Sequence, residues 1–514
     1  MIQEAREVER KFDAADTFVF PDPRALQDAL AEVIGPVQVR DDGTVQLTAT
    51  YYDTFDLRLA KDKVTLRRRT GGKDAGWHLK LPGDGDGRRE ISAPLGRARA
   101  VPAELLDLVQ ALVRTETLRP VATLKTRRRV LTVLSEDGRP LIEVVDDRVS
   151  ASRETAEDGA ASQVELWREL EAEILEAGNA ETLAAVSDAL QRAGATPSTS
   201  PSKLARALGP IGPPVVPAPP ETLSPKAPIA DVVAAYAATH VRAMQFQDRR
   251  VRQDLPDSVH KMRVSARRLR STLKTFQPIL DPAAVAALEP ELRWLGQVLG
   301  EARDREVLLD RLRGDLAELP AELVLGNISA RLEQTLLPEL LTAVDEAKVE
   351  LRGERYLQLL DALVAFAAKP PVTTNKSAAK VLPDLGHRAW RKVRRRMRAV
   401  KPDVLQAEAD ALHSVRKAAK QARYAGEAMV VVYGSQAGKF AAAMESMQEL
   451  LGEHQDSTVA RELLRRLGAG NRNGFTFGIL YGHEEARARA VRTQLPEVWE
   501  RASNKKLRRW MARS

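Results

Sequence analysis

The sequence contains no cysteine. Disulfides and thiol chemistry are therefore excluded, and any metal has to be held by carboxylates or histidine. Aromatic residues are scarce at 4%, which leaves few flat surfaces on which nucleic-acid bases could stack. No run of about 18 uncharged apolar residues occurs, so no membrane span is expected. The N-terminus is charged from Glu4 onward and lacks an apolar signal segment. These absences lead to the expectation of a cytoplasmic chain.

What is present is length and positive charge. With 514 residues, the chain is too long for one ordinary core, and two to four domains are expected. Hydrophobic residues at 44% suffice for folded domains, and the net charge of +8 points to an anionic partner. With so few aromatics, a partner that is mostly phosphate suits the composition better than nucleic acid, and specific nucleic-acid binding is not expected.

The clearest boundary is GPIGPPVVPAPPETLSPKAP, a proline-packed stretch that reads as a stiff extended linker. It divides the chain into residues 1–208, a linker at 209–227 and residues 228–514. Before the linker, β-type segments such as TVQLTATYYDT, KVTLRRRT, WHLKLP, VATLKTRRRVLTVL and PLIEVVDD alternate with turn signals such as DDG, PGDGDG and EDGRP. Two helical patches, DPRALQDALAEV and PAELLDLVQALV, interrupt them, and a third, NAETLAAVSDALQRAG, follows the last strand. Many short antiparallel strands suggest a barrel or a strongly curved sheet. After the linker, apolar residues recur at helical spacing, and the fold class as a whole is α+β multidomain.

The helical half repeats itself. VHKMRVSARRLR and LHSVRKAAKQAR pair His260 with His413, Arg263 with Arg416, Arg267 with Lys420 and Arg270 with Arg423 at one spacing. LGEARD from Leu299 matches LGEHQD from Leu451. An internal duplication with halves near 228–375 and 376–514 accounts for both blocks.

The strands carry an unusual charge pattern. Alternate side chains of a strand share a face, so Glu7, Glu9 and Lys11 point together. So do Arg67 and Arg69, then Lys125, Arg127 and Arg129, then Glu169, Glu171 and Glu173. Lys80 lies opposite its neighbours Leu79 and Leu81, and Glu143 shares a face with Asp147. On a half-buried sheet each charged face would simply be the wet face. Its recurrence on several strands favours a closed sheet with a charged interior. Clustered cations there repel one another unless an anion enters, and paired glutamates suit hard divalent cations such as Mg²⁺ or Mn²⁺. Metal, arginines and lysines together suit a polyanionic phosphate.

At this point the residues resemble a known family. EVERK matches the ExExK signature of the CYTH superfamily, the triphosphate tunnel metalloenzymes, and the pattern continues in YYDT, LRRR, WHLKLP, LKTRR, IEVVDD, ELEAE and Ser202–Lys203. The resemblance implies an eight-stranded antiparallel tunnel acting on inorganic triphosphate, thiamine triphosphate or RNA 5′-triphosphate ends, or cyclising ATP. It further implies a site carried by Glu7, Glu9, Lys11, Glu143, Glu169 and Glu171. Metal, in two ions, falls to Glu7, Glu9, Asp147, Glu169 and Glu171. Phosphate falls to Lys11, Arg67, Arg69, Lys80, Lys125, Arg127 and Lys203. Glu173, Arg129 and the Arg89–Glu90 pair are secondary candidates.

In the helical half, His260, Arg263, Arg267, Arg270 and Lys274 step by three and four, making one basic stripe, and His413, Arg416, Lys420 and Arg423 repeat it. HRAWRKVRRRMRAVK adds a further basic run without an acid. The histidines are followed by arginines rather than by further ligands, so metal is not expected there. This half resembles the CHAD family, which implies two pseudo-symmetric four-helix bundles binding inorganic polyphosphate. The combined expectation is a metal-dependent inorganic triphosphatase followed by a polyphosphate-binding domain, with cytoplasmic placement and association with polyphosphate granules. An adenylate cyclase or thiamine triphosphatase on the same tunnel, and a non-catalytic phosphate sensor, are the alternatives.

Overall fold

A computed structural model describes residues 3–83, 87–96, 100–154, 164–400, 405–469 and 474–512. Part of the PGDGDG turn, residues 84–86, lies outside them. The chain divides into two units, residues 1–215 and 216–514.

The first unit runs β1 (Gln3–Glu7), β2 (Glu9–Asp13), α1 (Pro23–Ile34), β3 (Val37–Asp53), α2 (Arg58–Lys61), β4 (Thr65–Thr70), β5 (Gly76–Pro82), β6 (Arg88–Ala93), α3 (Ala103–Val113), β7 (Arg119–Ser135), β8 (Pro140–Arg153), β9 (Val164–Ile174), α4 (Ala180–Arg192), β10 (Thr196–Pro197) and α5 (Lys203–Leu208). All strand pairs are antiparallel, in the order β1-β6-β5-β4-β3-β7-β8-β9-β2-β10. Among the described residues, ten strands stand where eight were expected. The opening segment breaks at Val8 into two strands with different partners, and Thr196–Pro197 adds a short one at the edge. The ladder is not closed by hydrogen bonds. Its first member, β1, is nevertheless joined to β2 near its far end through Val8 alone, so the sheet has to curl round until its two ends meet.

Apolar residues on the outer face hold this curl. Leu66, Trp77, Leu79, Leu81 and Ile91 pack on Leu105, Leu108 and Val109 of α3. Leu131, Val133, Ile142, Val144 and Leu170 pack on Leu26 and Leu30 of α1 and Val186 and Leu190 of α4. Truncating one of these buried leucines to alanine costs about 2–5 kcal/mol. Because strand side chains alternate, these outer contacts fix which residues point inward. At one end the inward face is apolar, and Leu204 and Ala207 of α5 cover Ala49, Leu124, Val149 and Ala151. Elsewhere the inward face is charged.

The second unit is helical: α6 (Ile229–Arg252), α7 (Ser258–Phe276), α8 (Pro282–Glu318), α9 (Ile328–Arg352), α10 (Glu354–Ala368), α11 (Ala378–Arg398), α12 (Leu405–Ala469) and α13 (Phe475–Ala502), with a closing 3₁₀ segment Lys505–Met511. Gly434, at φ 50° and ψ −131°, breaks α12 into two segments, a conformation that glycine adopts without the Cβ penalty. α7 lies between α6 and α8, as the first segment of α12 pairs with α11, and α10 covers α6 as the 3₁₀ segment covers α11. The halves do not each close on themselves. Leu309, Leu312, Leu332 and Leu336 of α8 and α9 share one core with Leu463, Leu464, Phe477 and Leu480 of α12 and α13. Nor does the proline-rich stretch stand clear of the helices. Val216 is buried, Arg242 donates to its carbonyl at 2.8 Å, and Leu223 donates to the Val431 carbonyl at 2.7 Å.

Candidate active site

The inward side chains of the curled sheet surround a cavity of about 110 Å³ whose lining residues are all polar. Its two walls differ in charge. β4, β5 and β6 contribute Arg67, Arg69, Lys80, Arg88 and Glu90. The facing wall is acidic: Glu143 and Asp147 on β8 register against Glu173 and Glu169 on β9, and Glu9 and Lys11 on β2 register against Glu173 and Glu171.

Cations hold the acidic wall together. Arg128 donates Nε to Asp147 Oδ1 at 2.8 Å and Nη2 to Asp147 Oδ2 at 2.7 Å and Glu171 Oε2 at 3.0 Å. Lys11 Nζ lies 3.0 Å from both Glu9 and Glu171. Lys203, the first residue of α5, lies 2.6 Å from Glu169, 2.8 Å from Glu171 and 3.0 Å from Asp147. Burial works against each of these charges, but the pairing prevails: Glu171 and Asp147 are held below the usual carboxylate range by Lys11, Lys203 and Arg128.

On the basic wall Lys80 pairs with Glu7. His78 lies 2.9 Å from Glu90 Oε1, and Arg67 lies 3.7 Å from the same oxygen. Burial alone would raise Glu90, but His78, Lys80 and Arg67 hold it at about 2. Burial, with Arg67 and Arg128 nearby, lowers the pKa of Arg69, which also pairs with Asp74. Glu173 is the opposite case. Burial, then the charges of Glu7, Glu9 and Glu171, push it up to about 8.

The residues fit a hard divalent cation. Oxygens of Asp147, Glu169 and Glu171 lie within 4.8 Å of one another. Glu7 is 7% exposed, and its Oε2 is buried without a hydrogen-bond partner among the described residues. Glu7, Glu9 and Glu171 lie close enough to Glu173 to add to the effect of burial in raising its pKa, a crowding of carboxylates that a cation relieves. All-oxygen carboxylate donors are what Mg²⁺ and Mn²⁺ take.

The expected site residues are only partly gathered here. Glu7, Glu9, Lys11, Arg67, Arg69, Lys80, Glu143, Asp147, Glu169, Glu171, Glu173 and Lys203 share the interior face. Lys125 and Arg127 are exposed on the outside, and Arg129 pairs with Asp41 there at 2.9 Å. The physical reason is parity. Leu131 and Val133 face outward onto the helices, which turns the even-numbered residues of β7, Arg128 among them, to the interior. Arg89 likewise points outward, to Glu4 at 2.6 Å, while Arg88 and Glu90 point in. Arg128, Arg88, His78 and Tyr51 were not singled out from the sequence. Alternation counted from Lys80 would have found His78. Arg128 sits in a run of three arginines that gives no parity of its own.

In the helical unit, α7, α11 and α12 frame two adjoining cavities of about 540 and 510 Å³ that share Lys274, Lys392 and Gln421. Arg267, Arg270, Lys417 and Lys420 line one, and Arg388, Arg391 and Arg395 line the other. The two stripes therefore meet. Burial, then Arg267, Arg416 and Arg263, push Lys420 down to about 7. His260, Arg263, His413, Arg416 and Arg423 are not among the lining residues. Arg423 is drawn to Glu427 and Glu445 at 2.8 and 2.7 Å. Arg263 lies against Gly300, and Arg416 lies against Gly452, so closely that an added Cβ would meet each guanidinium at 3.3 and 3.2 Å. The glycines of the two LGE blocks thus seat the equivalent arginines of the two stripes. Nδ1 of His260 and of His413 is buried without a partner among the described residues.

The family comparisons agree with both units. The CYTH domain model matches residues 5–208 and the CHAD domain model matches residues 235–465. Over 509 residues the chain is 39% identical to the uncharacterized protein Rv2226 of Mycobacterium tuberculosis, covering 95% of this chain and 94% of that one. Among solved structures, PptA from Streptomyces chartreusis is similar at 22% identity and a TM-score of 0.45, over 53% of this chain and 100% of its own. The CHAD domain from the plant Ricinus communis is similar at 24% identity and a TM-score of 0.44, over 55% and 93%. The chain belongs to the family in which a CYTH domain is followed by a CHAD domain.

Proposed function

We propose that the CYTH unit hydrolyses inorganic triphosphate to diphosphate and phosphate with a divalent metal, and that the CHAD unit binds inorganic polyphosphate. Members of the CYTH family act on triphosphates, as cyclases or triphosphatases. The observation that carries the choice among them is the lining of the cavity. It holds seven basic residues and no apolar side chain beyond the ring of Tyr51, so phosphate is recognised and a purine has no shelf.

Arg67, Arg69, Lys80 and Arg88 would hold the phosphate chain along the basic wall. Glu7, Glu9 and Glu173, with the Asp147–Glu169–Glu171 triad, would hold the metal. A bound divalent ion would neutralise phosphate oxygens and acidify a water. Arg128 and Lys11 orient the triad carboxylates that would ligate it. Glu143, its pKa raised by burial, would take the proton of the attacking water. The new bond joins that oxygen to the terminal phosphorus, the bridging P–O bond breaks, and diphosphate leaves with the electron pair.

In the CHAD unit, the two adjoining basic basins, which share Lys274, Lys392 and Gln421, suit a linear polyanion. Product identification tests the assignment. Incubation with triphosphate, ATP and thiamine triphosphate and Mg²⁺ or Mn²⁺ should yield phosphate fastest from triphosphate. Cyclic AMP as the main product, with no release from triphosphate, would refute it.

A further inference from the structure

Lys203 stands where a coordinated cation would stand. Its ammonium is within 3.0 Å of all three carboxylates of the triad, and its side chain is 9% exposed. A divalent ion ligated by the same oxygens would lie within a few ångströms of that ammonium, in a confined space where like charges repel strongly. One of the two has to give way.

The helix that carries Lys203 is not the part that moves. Ser202 caps it by accepting from Ala205. Leu204 and Ala207 are buried, and Arg206 donates to Asp13 at 2.5 Å. What is left is the four-carbon side chain, which is long enough to swing along the lumen. Lys203 and Arg69 line the same cavity, so the destination is the space assigned to phosphate.

Resting on the metal-dependent reading above, we propose that Lys203 is a tethered counter-cation: its ammonium neutralises the Asp147–Glu169–Glu171 triad, yields that position to the metal, and is received by the bound phosphate chain. Metal and triphosphate are then coupled through this side chain. Metal binding alone has to displace an ammonium into a basic lumen, whereas triphosphate gives that ammonium a partner. The coupling is reciprocal.

This differs from a lysine that only grips phosphate. Such a lysine, once removed, weakens triphosphate binding and leaves the affinity for metal alone unchanged. Calorimetric titration of Mn²⁺ into the full chain separates the two, using the parent protein, Lys203→Met and Lys203→Gln, each with and without the non-hydrolysable analogue imidotriphosphate. The expected result is that both variants bind Mn²⁺ alone about tenfold or more tightly than the parent and gain less from the analogue. Lys203→Gln keeps an amide donor for the carboxylates and so guards against a Lys203→Met variant that fails to fold. Unchanged or weaker binding of Mn²⁺ alone by the folded variant overturns the proposal. Absence of Mn²⁺ binding by the parent and both variants, with and without the analogue, overturns the metal-dependent reading itself.

Discussion

Arg128 grips both oxygens of Asp147, at 2.8 and 2.7 Å, from the register position beside it on the neighbouring strand, on the interior face of the curled sheet. Asp147 is fully buried, so the pair cannot be replaced by water. Removing one partner of such a pair costs about 3–5 kcal/mol, because the other charge is stranded. Arg128→Met should therefore lower the melting temperature of the CYTH unit and reduce triphosphate turnover by at least about a hundredfold. Arg127→Met, one residue away on the outer face, should change stability by no more than about 0.5 kcal/mol. Equal effects of the two variants in melting and turnover assays would contradict the interior placement of Arg128.

Glu173 sets a pH dependence. Its pKa stands at about 8 in the folded protein against an ordinary value of 4.5. A raised carboxyl pKa stabilises the fold below the unfolded value, and that stability is lost as pH climbs through the folded one. Without metal, stability should thus fall between about pH 5 and pH 8, by up to ~4 kcal/mol for this group alone. Glu173→Gln should flatten the profile, and Mn²⁺ should flatten it in the parent protein. Melting curves across that range with and without Mn²⁺ decide the point, and a parent profile that rises toward pH 8 without metal would contradict it.

Glu7 offers a buried oxygen with no partner among the described residues, and Glu9 stands on the facing acidic wall. Glu7→Gln and Glu9→Gln keep shape and remove charge. Each should raise the Mn²⁺ concentration needed for half-maximal turnover by tenfold or more, with the fold intact by circular dichroism. An unaltered metal requirement in both variants would exclude these two glutamates as ligands.

In the helical unit, burial and then its arginine neighbours bring Lys420 down to about 7. A polyanion in the groove favours the charged form, so binding takes up a proton and affinity should fall as pH rises from 7 to 9. It should fall steeply with salt as well. Lys420→Met should remove most of the pH slope and keep the salt slope. Arg267→Glu combined with Lys420→Glu should abolish polyphosphate binding to the full chain while leaving triphosphate hydrolysis in place. Calorimetry at two pH values and two salt concentrations tests both statements.

The sequence made the charged strands, the helical repeat and the boundary near the prolines legible, because each is written as a local period. The interior glutamates could be placed because ELEAE alternates with Leu170 and Ala172, which take the outer face, and ExExK keeps the same alternate spacing. LKTRRR has no such alternation. Only the contacts of Leu131 and Val133 with α1 and α4 decide that Arg128 turns inward and Arg127 outward. The break at Val8, which gives one segment two sets of partners, is likewise set by curvature of the whole sheet. In the helical half, spacing identified the stripes, but which stripe residues face the groove depends on neighbours. Glu427 draws Arg423 away, and Gly300 and Gly452 fold Arg263 and Arg416 against α8 and α12. The basic run on α11 was visible, but its position beside the stripes, lining cavities with them, was not.

The central claim is that the polar lumen uses metal to break one phosphoanhydride bond of an unsubstituted triphosphate. Phosphorus NMR of inorganic triphosphate incubated with the full chain measures this directly. With Mg²⁺ or Mn²⁺ present, triphosphate signals should give way to equal amounts of diphosphate and phosphate. Chelator should stop the reaction, and Glu171→Gln should abolish it. Triphosphate left intact under conditions in which the same protein converts ATP to cyclic AMP would contradict the account.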